Sequence, residues 1–240
     1  MKDDFSYDAQ KLISYFKEHP VETLVIINPD NPTGHWMSRG EIEKLLCWCK
    51  EQKINLVLDE SFADFAEDEN VSMISEDVFC ENPNLYVVKS ISKSYGVPGL
   101  RIGVLASGDD KMIGRLKKKV SIWNMNSLAE FFMQILDKYK KDYQNSLIQL
   151  KKERSRFYQE LCKIKNIKVY QSQANYFMCE LLGEKTSEKL AGELLKNNIL
   201  IKDLTEKIGN GKQYIRIAIR TKEENDILLQ ALKSSFLFEK

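Results

Sequence analysis

Apolar residues fall in short β-branched runs separated by stretches in which they recur every third or fourth position. The runs Leu24–Ile27 and Asn55–Leu58 flank an amphipathic segment from Ser38 to Gln52, in which Ser38 and Glu41 have the spacing of a capping box. This pattern predicts strand, helix, strand. Two more runs, Leu85–Val88 and Ile102–Leu105, follow with loops or helices between them. Such alternation predicts a mostly parallel sheet covered by helices on both faces. From Asp109 to Lys163 the pattern is almost continuously helical, without glycine or proline after Gly114. Beyond it come Ile167–Tyr170, Tyr176–Glu180, a helix over Ser187–Asn197, Ile199–Ile201, Tyr214–Ile219 and a last helix from Lys222. The expected class is therefore α/β. A larger parallel-sheet domain over residues 1–135 and a smaller α+β domain over 136–240 are joined by long helices.

Composition narrows the partners. Lysine and arginine (36) nearly balance aspartate and glutamate (35), so no net field draws the chain to nucleic acid or to an anionic membrane surface. No apolar run approaches the roughly 20 residues of a membrane-spanning helix. The five cysteines lack framework spacing and the first residues lack the pattern of a signal peptide, so a cytoplasmic location is expected. Cys47-Trp48-Cys49 lies on a predicted helix with no histidine nearby to complete a metal site, and core packing is its expected use. His19 and His35, each beside turn residues, are expected to be solvated. Gly209-Asn210-Gly211-Lys212 precedes a strand and not a helix, so it reads as a hairpin turn.

Three segments at predicted strand ends carry polar residues that a packed core would not select, and open α/β sheets bind ligands at those ends. The first is Asn28-Pro29-Asp30-Asn31-Pro32-Thr33-Gly34, a tight turn that can aim the Asn31 amide into a crevice. The second, Leu58-Asp59-Glu60-Ser61-Phe62, leaves the Asp59 carboxylate at the end of an apolar strand, where a cation should face it. The third runs from Ser90 to Gly103 and places Lys93 and Arg101 in a loop rich in serine and glycine, suited to an anion and an aldehyde. Singly, each has a plainer reading: a rigid turn, a helix cap or ion pair, a solvated lysine. Together, in this order, they point to one site.

In order and chemistry these segments resemble the fold-type I pyridoxal-phosphate enzymes, specifically the class I/II aminotransferases of the histidinol-phosphate aminotransferase and threonine-phosphate decarboxylase type. The resemblance implies pyridoxal 5'-phosphate as cofactor, Lys93 as the lysine of the internal aldimine, and Asp59 as partner of the protonated pyridine nitrogen. It also implies that Asn31 donates to the phenolic oxygen, and that Ser90, Ser92 or both bind the phosphate with Arg101. On the strand Tyr214–Ile219, Arg216 matches the family's substrate-carboxylate arginine. Arg220 would share that face of a regular strand but lies about 13 Å further on. Asn175 matches a position that faces the active site.

Two features depart from the family pattern. A tyrosine that donates to the phenolic oxygen is replaced here by Phe62, which leaves Asn31 alone in that role and resembles the threonine-phosphate decarboxylase branch. The family also carries a long segment ahead of the Asn-Pro-Asp-Asn-Pro-Thr-Gly loop, whereas fewer than thirty residues precede that loop here. The expected function is a homodimeric, pyridoxal-phosphate-dependent aminotransferase acting on an amino acid, with or without a phosphate (histidinol-phosphate type). The alternatives are a threonine-phosphate decarboxylase-like enzyme, or an N-terminally truncated, catalytically silent chain serving as an assembly module.

Overall fold

A computed structural model describes residues 4–68 and 70–237. The chain divides into two units, one of Met1–Asp30 with His35–Asn145 and the other of Asn31–Gly34 with Ser146–Lys240. Among the described residues no helix is long and apolar enough to cross a membrane.

The first unit is built on a four-stranded sheet, β1 (Thr23–Ile27), β2 (Asn55–Asp59), β3 (Leu85–Ser90) and β4 (Gly103–Ser107), in that spatial order. The first two pairings are parallel and the third is antiparallel. Helices α1 (Ala9–Glu18) and α2 (Arg39–Glu51) cover one face. The Ser38 hydroxyl accepts from the Glu41 amide and the Glu41 side chain returns the bond, so the capping box read from the sequence starts α2 where expected. Leu24 and Ile26, Leu56 and Leu58, and Leu85 and Val87 alternate inward on their strands and pack with Ile42, Leu45, Leu46, Trp48 and Cys49 of α2. The core use expected of Cys47-Trp48-Cys49 thus holds for its last two residues, while Cys47 is exposed.

The expectation of a sheet covered on both faces is corrected here. Val25, 60% exposed, and Leu105, 42%, lie on the face away from α1 and α2, which among the described residues is left partly open, and Val104, on the α1/α2 face of the edge strand, is itself 40% exposed. Two short helices, α3 (Glu76–Glu81) and α4 (Ile91–Ser94), flank β3. The predicted helical stretch is resolved into α5 (Asp110–Lys119), α6 (Ser127–Ile135), a 3₁₀ turn over Leu136–Tyr139, and α7 (Lys140–Leu161), in which the division between units falls.

The second unit has an antiparallel sheet of order β5-β6-β8-β7, with β5 at Ile167–Val169, β6 at Tyr176–Leu181, β7 at Lys202–Asp203 and β8 at Gln213–Ala218. Helices α8 (Ser187–Leu195) and α10 (Lys222–Leu237) contribute Leu190, Leu194, Leu228, Leu229 and Leu232 to a core with Phe157, Phe177, Ile215 and Ile217, and α9 (Thr205–Ile208) precedes β8. The run Ile199–Ile201 is not a strand. Asn198 turns the chain through the left-handed region (φ 59), and Ile199 and Ile201 pack their side chains against the core instead of joining a ladder. His35 is likewise not simply solvated: it is half-buried, with Nε2 2.6 Å from the Tyr7 carbonyl oxygen and its ring 4.5 Å from that of Tyr7.

Candidate active site

In the first unit the chemistry gathers where β2, β3 and β4 meet the loops beyond them. Parallel pairing sets Asp59 beside Val88, and the antiparallel pair sets Val88 beside Leu105 and Ser90 beside Gly103. Asp59 is half-buried; its Oδ1 accepts the Ser61 amide at 2.8 Å, and among the described residues no cation pairs with it. Its neighbour Glu60 points the other way and is 1% exposed. Its two oxygens accept the Met73 amide (2.7 Å) and the Ser72 hydroxyl (2.6 Å). Burial holds the Glu60 carboxyl above the ordinary carboxylate range, against those two bonds and the nearby Lys89.

Lys93 stands on the single turn of α4. Its ammonium is exposed and lies 4.4 Å from the ring centroid of the buried Phe62. Two contacts fix the turn from below. The Ser90 amide donates to Ser61 Oγ at 3.0 Å, and Ser92 Oγ donates to the Ile102 carbonyl while accepting the Ile102 amide at 3.0 Å. Ser92 is 2% exposed and its hydroxyl is therefore engaged with the backbone, whereas Ser90, at the cap position of α4, makes no side-chain capping bond. Arg101 is exposed and holds a left-handed backbone (φ 54, ψ 46), a conformation that costs a non-glycine residue ~1–2 kcal/mol.

A cavity of about 390 Å³ opens here, lined in part by Ser61, Ser90, Ser92, Arg101 and Gly103. A side chain at Gly103 would meet the Lys89 carbonyl oxygen at 3.0 Å, so the wall stays bare at that point. Arg101 and Ser90 share this lining, while Asp59 and Lys93, on the adjoining strand end and turn, lie outside it; the guanidinium and hydroxyl suit a phosphate, the carboxylate a basic ring nitrogen and the exposed amine an aldehyde. A larger groove of about 780 Å³ lies between α8 and α10, but its lining, with the Lys185–Glu193 ion pair, offers no comparable set.

The second unit holds the other residues. Arg216 on β8 donates from Nη1 to Asn31 Oδ1 at 2.6 Å, and its guanidinium lies 4.9 Å from the ring centroid of Tyr176 on β6. The turn carrying Asn31 is anchored by the Gln173 amide on the Gly34 carbonyl (2.9 Å). Asn175 accepts the Ile219 amide at its own carbonyl. Arg220 lies past the end of β8, exposed and paired with Glu224 at 2.7 Å.

Sequence reasoning missed a further set beside Lys93. Asp64 accepts from Lys89 Nζ at 2.5 Å and from the Tyr143 hydroxyl at 2.9 Å, and the Tyr143 ring stacks on that of Tyr95. Asp64 and Lys89 lie just outside the strand-end segments Leu58–Phe62 and Ser90–Gly103, and nothing in the helical pattern around Tyr143 marked it.

The sequence profile of the family Aminotransferase class I and II matches residues 1–232. The chain belongs to that family. The cofactor of the family is pyridoxal 5'-phosphate, in agreement with the donor set above. Among curated relatives, an L-serine phosphate decarboxylase of Sulfurospirillum multivorans is 36% identical over 97% of this chain and 60% of its own length. A threonine-phosphate decarboxylase of Salmonella typhimurium is 33% identical over 89% of this chain and 57% of its own length. The crystal structure of a histidinol-phosphate aminotransferase from Clostridium acetobutylicum superposes with a TM-score of 0.87 at 30% identity, over 98% of this chain and 67% of that one. The chain thus spans about 60% of the length of the curated relatives it matches.

Proposed function

We propose that the chain acts in the pyridoxal-phosphate-dependent decarboxylation of an O-phosphorylated amino acid of the serine or threonine class. The observation that carries this reading is Phe62, buried and in contact with the Lys93 ammonium, at the position where the family places a tyrosine hydroxyl. The similarity to two phosphoamino-acid decarboxylases supports it. When bound, the cofactor supplies an electron sink for the carbanion that forms at the substrate Cα. Lys93 would hold the cofactor through its aldehyde carbon, and its amine would be the group placed to move a proton at the substrate Cα. Asp59 keeps a proton on the ring nitrogen. Arg101 and Ser90 bind the phosphate, with Ser92 acting through its hold on Ile102. The Asn31 amide donates to the phenolic oxygen, and Arg216 takes the substrate carboxylate. Asn175 lines the substrate side, and the working protein is a homodimer.

A second reading, transamination, is supported by relatives such as the histidinol-phosphate aminotransferase of Ruminiclostridium cellulolyticum, 30% identical over 96% of this chain. One assay separates the two. With pyridoxal phosphate and O-phospho-L-serine or O-phospho-L-threonine, decarboxylation releases carbon dioxide without any added 2-oxo acid. Product that forms only when a 2-oxo acid is supplied would overturn the decarboxylase reading in favour of the second.

A further inference from the structure

We propose that Tyr143 is a positioning residue for Lys93, an inference that rests on the assignment of Lys93 as the cofactor lysine. Lys93 is exposed, its amine rests among the described residues only against the Phe62 ring, and the hydrogen bonds around it are made by the backbone and by neighbouring serines. The placement of that amine is therefore set by what fixes the turn Ile91–Ser94 and the residues that leave it. The entry side is tied by Ser90 to Ser61, and the middle by Ser92 to Ile102.

The exit side is tied by Tyr95, two residues after Lys93. Its ring stacks on that of Tyr143 with centroids 4.0 Å apart and planes 20° from parallel, and it meets the Phe132 ring edge-on at 6.1 Å. Tyr143 is itself anchored, because its hydroxyl donates to Asp64 Oδ2 at 2.9 Å while Lys89 Nζ holds Asp64 Oδ1 at 2.5 Å. Lys89 lies on β3 four residues before Lys93, and Asp64 two residues after Phe62, whose ring the Lys93 ammonium faces. The brace thus runs from the strand that enters the lysine turn, through a carboxylate and a tyrosine hydroxyl, to the ring that leaves it. The Asp64–Lys89 pair is only 18% exposed on each side, so its bonds are little screened by solvent. Burial and the Asp64 charge both push the Tyr143 hydroxyl far above its ordinary value, which keeps it a donor throughout the working range.

Tyr143→Phe keeps the ring and removes the bond to Asp64. Two readouts follow. Amide hydrogen exchange over residues 91–97 should rise about tenfold, the equivalent of ~1.4 kcal/mol for one lost bond to a charged group. In protein loaded with pyridoxal phosphate, the pH midpoint of the visible band that depends on Lys93 should move by about half a unit. Tyr139→Phe, an exposed tyrosine outside the brace, should change neither. A Tyr143→Phe protein with unaltered exchange over 91–97, or with an unmoved band midpoint, would overturn the role of Tyr143; so would equal effects from Tyr139→Phe. A wild-type protein that shows no such band would instead overturn the assignment of Lys93 on which the inference rests.

Discussion

Arg216 donates from Nη1 to the side-chain oxygen of Asn31, 2.6 Å away and 185 residues earlier in the chain. The bond decides which way round the Asn31 amide sits. Its oxygen is committed as an acceptor, so its NH₂ is the end left to donate, as the role proposed for Asn31 requires. The Tyr176 ring holds the guanidinium from a second side. Arg216→Ala should weaken amino-acid binding about ten- to a hundredfold, measured by spectral titration with several donors, as expected for the loss of a charge-assisted fork. Arg216→Lys should recover little of this, because an ammonium cannot hold Asn31 and a carboxylate with the same planar geometry. A loss confined to one donor would contradict the carboxylate role.

Asp59 and Lys93 should separate cofactor binding from chemistry. Lys93→Ala should abolish the visible band of protein mixed with pyridoxal phosphate. Asp59→Asn should keep a band but lose at least about a hundredfold in turnover, because an amide does not hold the ring-nitrogen proton. Equal turnover in Asp59→Asn would remove Asp59 from the mechanism.

What could be read in advance follows from the range of the interactions. The capping box at Ser38 and Glu41 is local, and it starts α2 where expected. Asp59 stands out as a charge at the end of an apolar run, and Lys93 through its place in a loop rich in serine and glycine that resembles the family's lysine loop. The direction of β4 was not visible: the stretch between Ser90 and Gly103 is taken up by α4 and a 3₁₀ turn, so β4 returns antiparallel without a covering crossover helix. Ile199–Ile201 carried a strand's composition, but its side chains serve the core of the second unit. Tyr143 was out of reach for another reason, since its partner Asp64 lies 79 residues earlier and only the folded chain joins them.

Gly34 and Gly114 should respond oppositely to alanine. Gly34 has φ +76, and a Cβ there would stand 2.0 Å from Ser172 Oγ and 2.5 Å from Ser172 Cβ. Gly34→Ala should therefore cost about 1–3 kcal/mol and displace the turn that presents Asn31. Gly114 lies inside α5 with open space around it. Gly114→Ala should stabilise by about 0.5–1 kcal/mol through helix propensity and a less flexible unfolded chain. Denaturant midpoints at constant slope would check both, and a Gly34→Ala protein as stable as wild type would mean that the turn accommodates a side chain.

Glu153 on α7 should give the second unit a stability that depends on acid. Its carboxylate accepts from Arg156 Nε (2.8 Å) and Nη2 (2.7 Å) and from Asn225 Nδ2 (2.7 Å), and its side chain is 14% exposed. The Arg156 bonds first, with Asn225 helping against the cost of burial, hold its pKa below the ordinary carboxylate value. A carboxyl depressed in the folded state contributes fully above its unfolded pKa, about 4, and loses that contribution as pH falls through the folded value. Glu153→Gln should thus destabilise by ~1–2 kcal/mol at neutral pH, since the charge-assisted part of these bonds is lost. The gap from wild type should then close as the medium is acidified below about pH 4. Thermal or denaturant unfolding of both proteins across that range measures it; a gap that stays constant into acid would show that packing, not the ionised carboxylate, accounts for the difference.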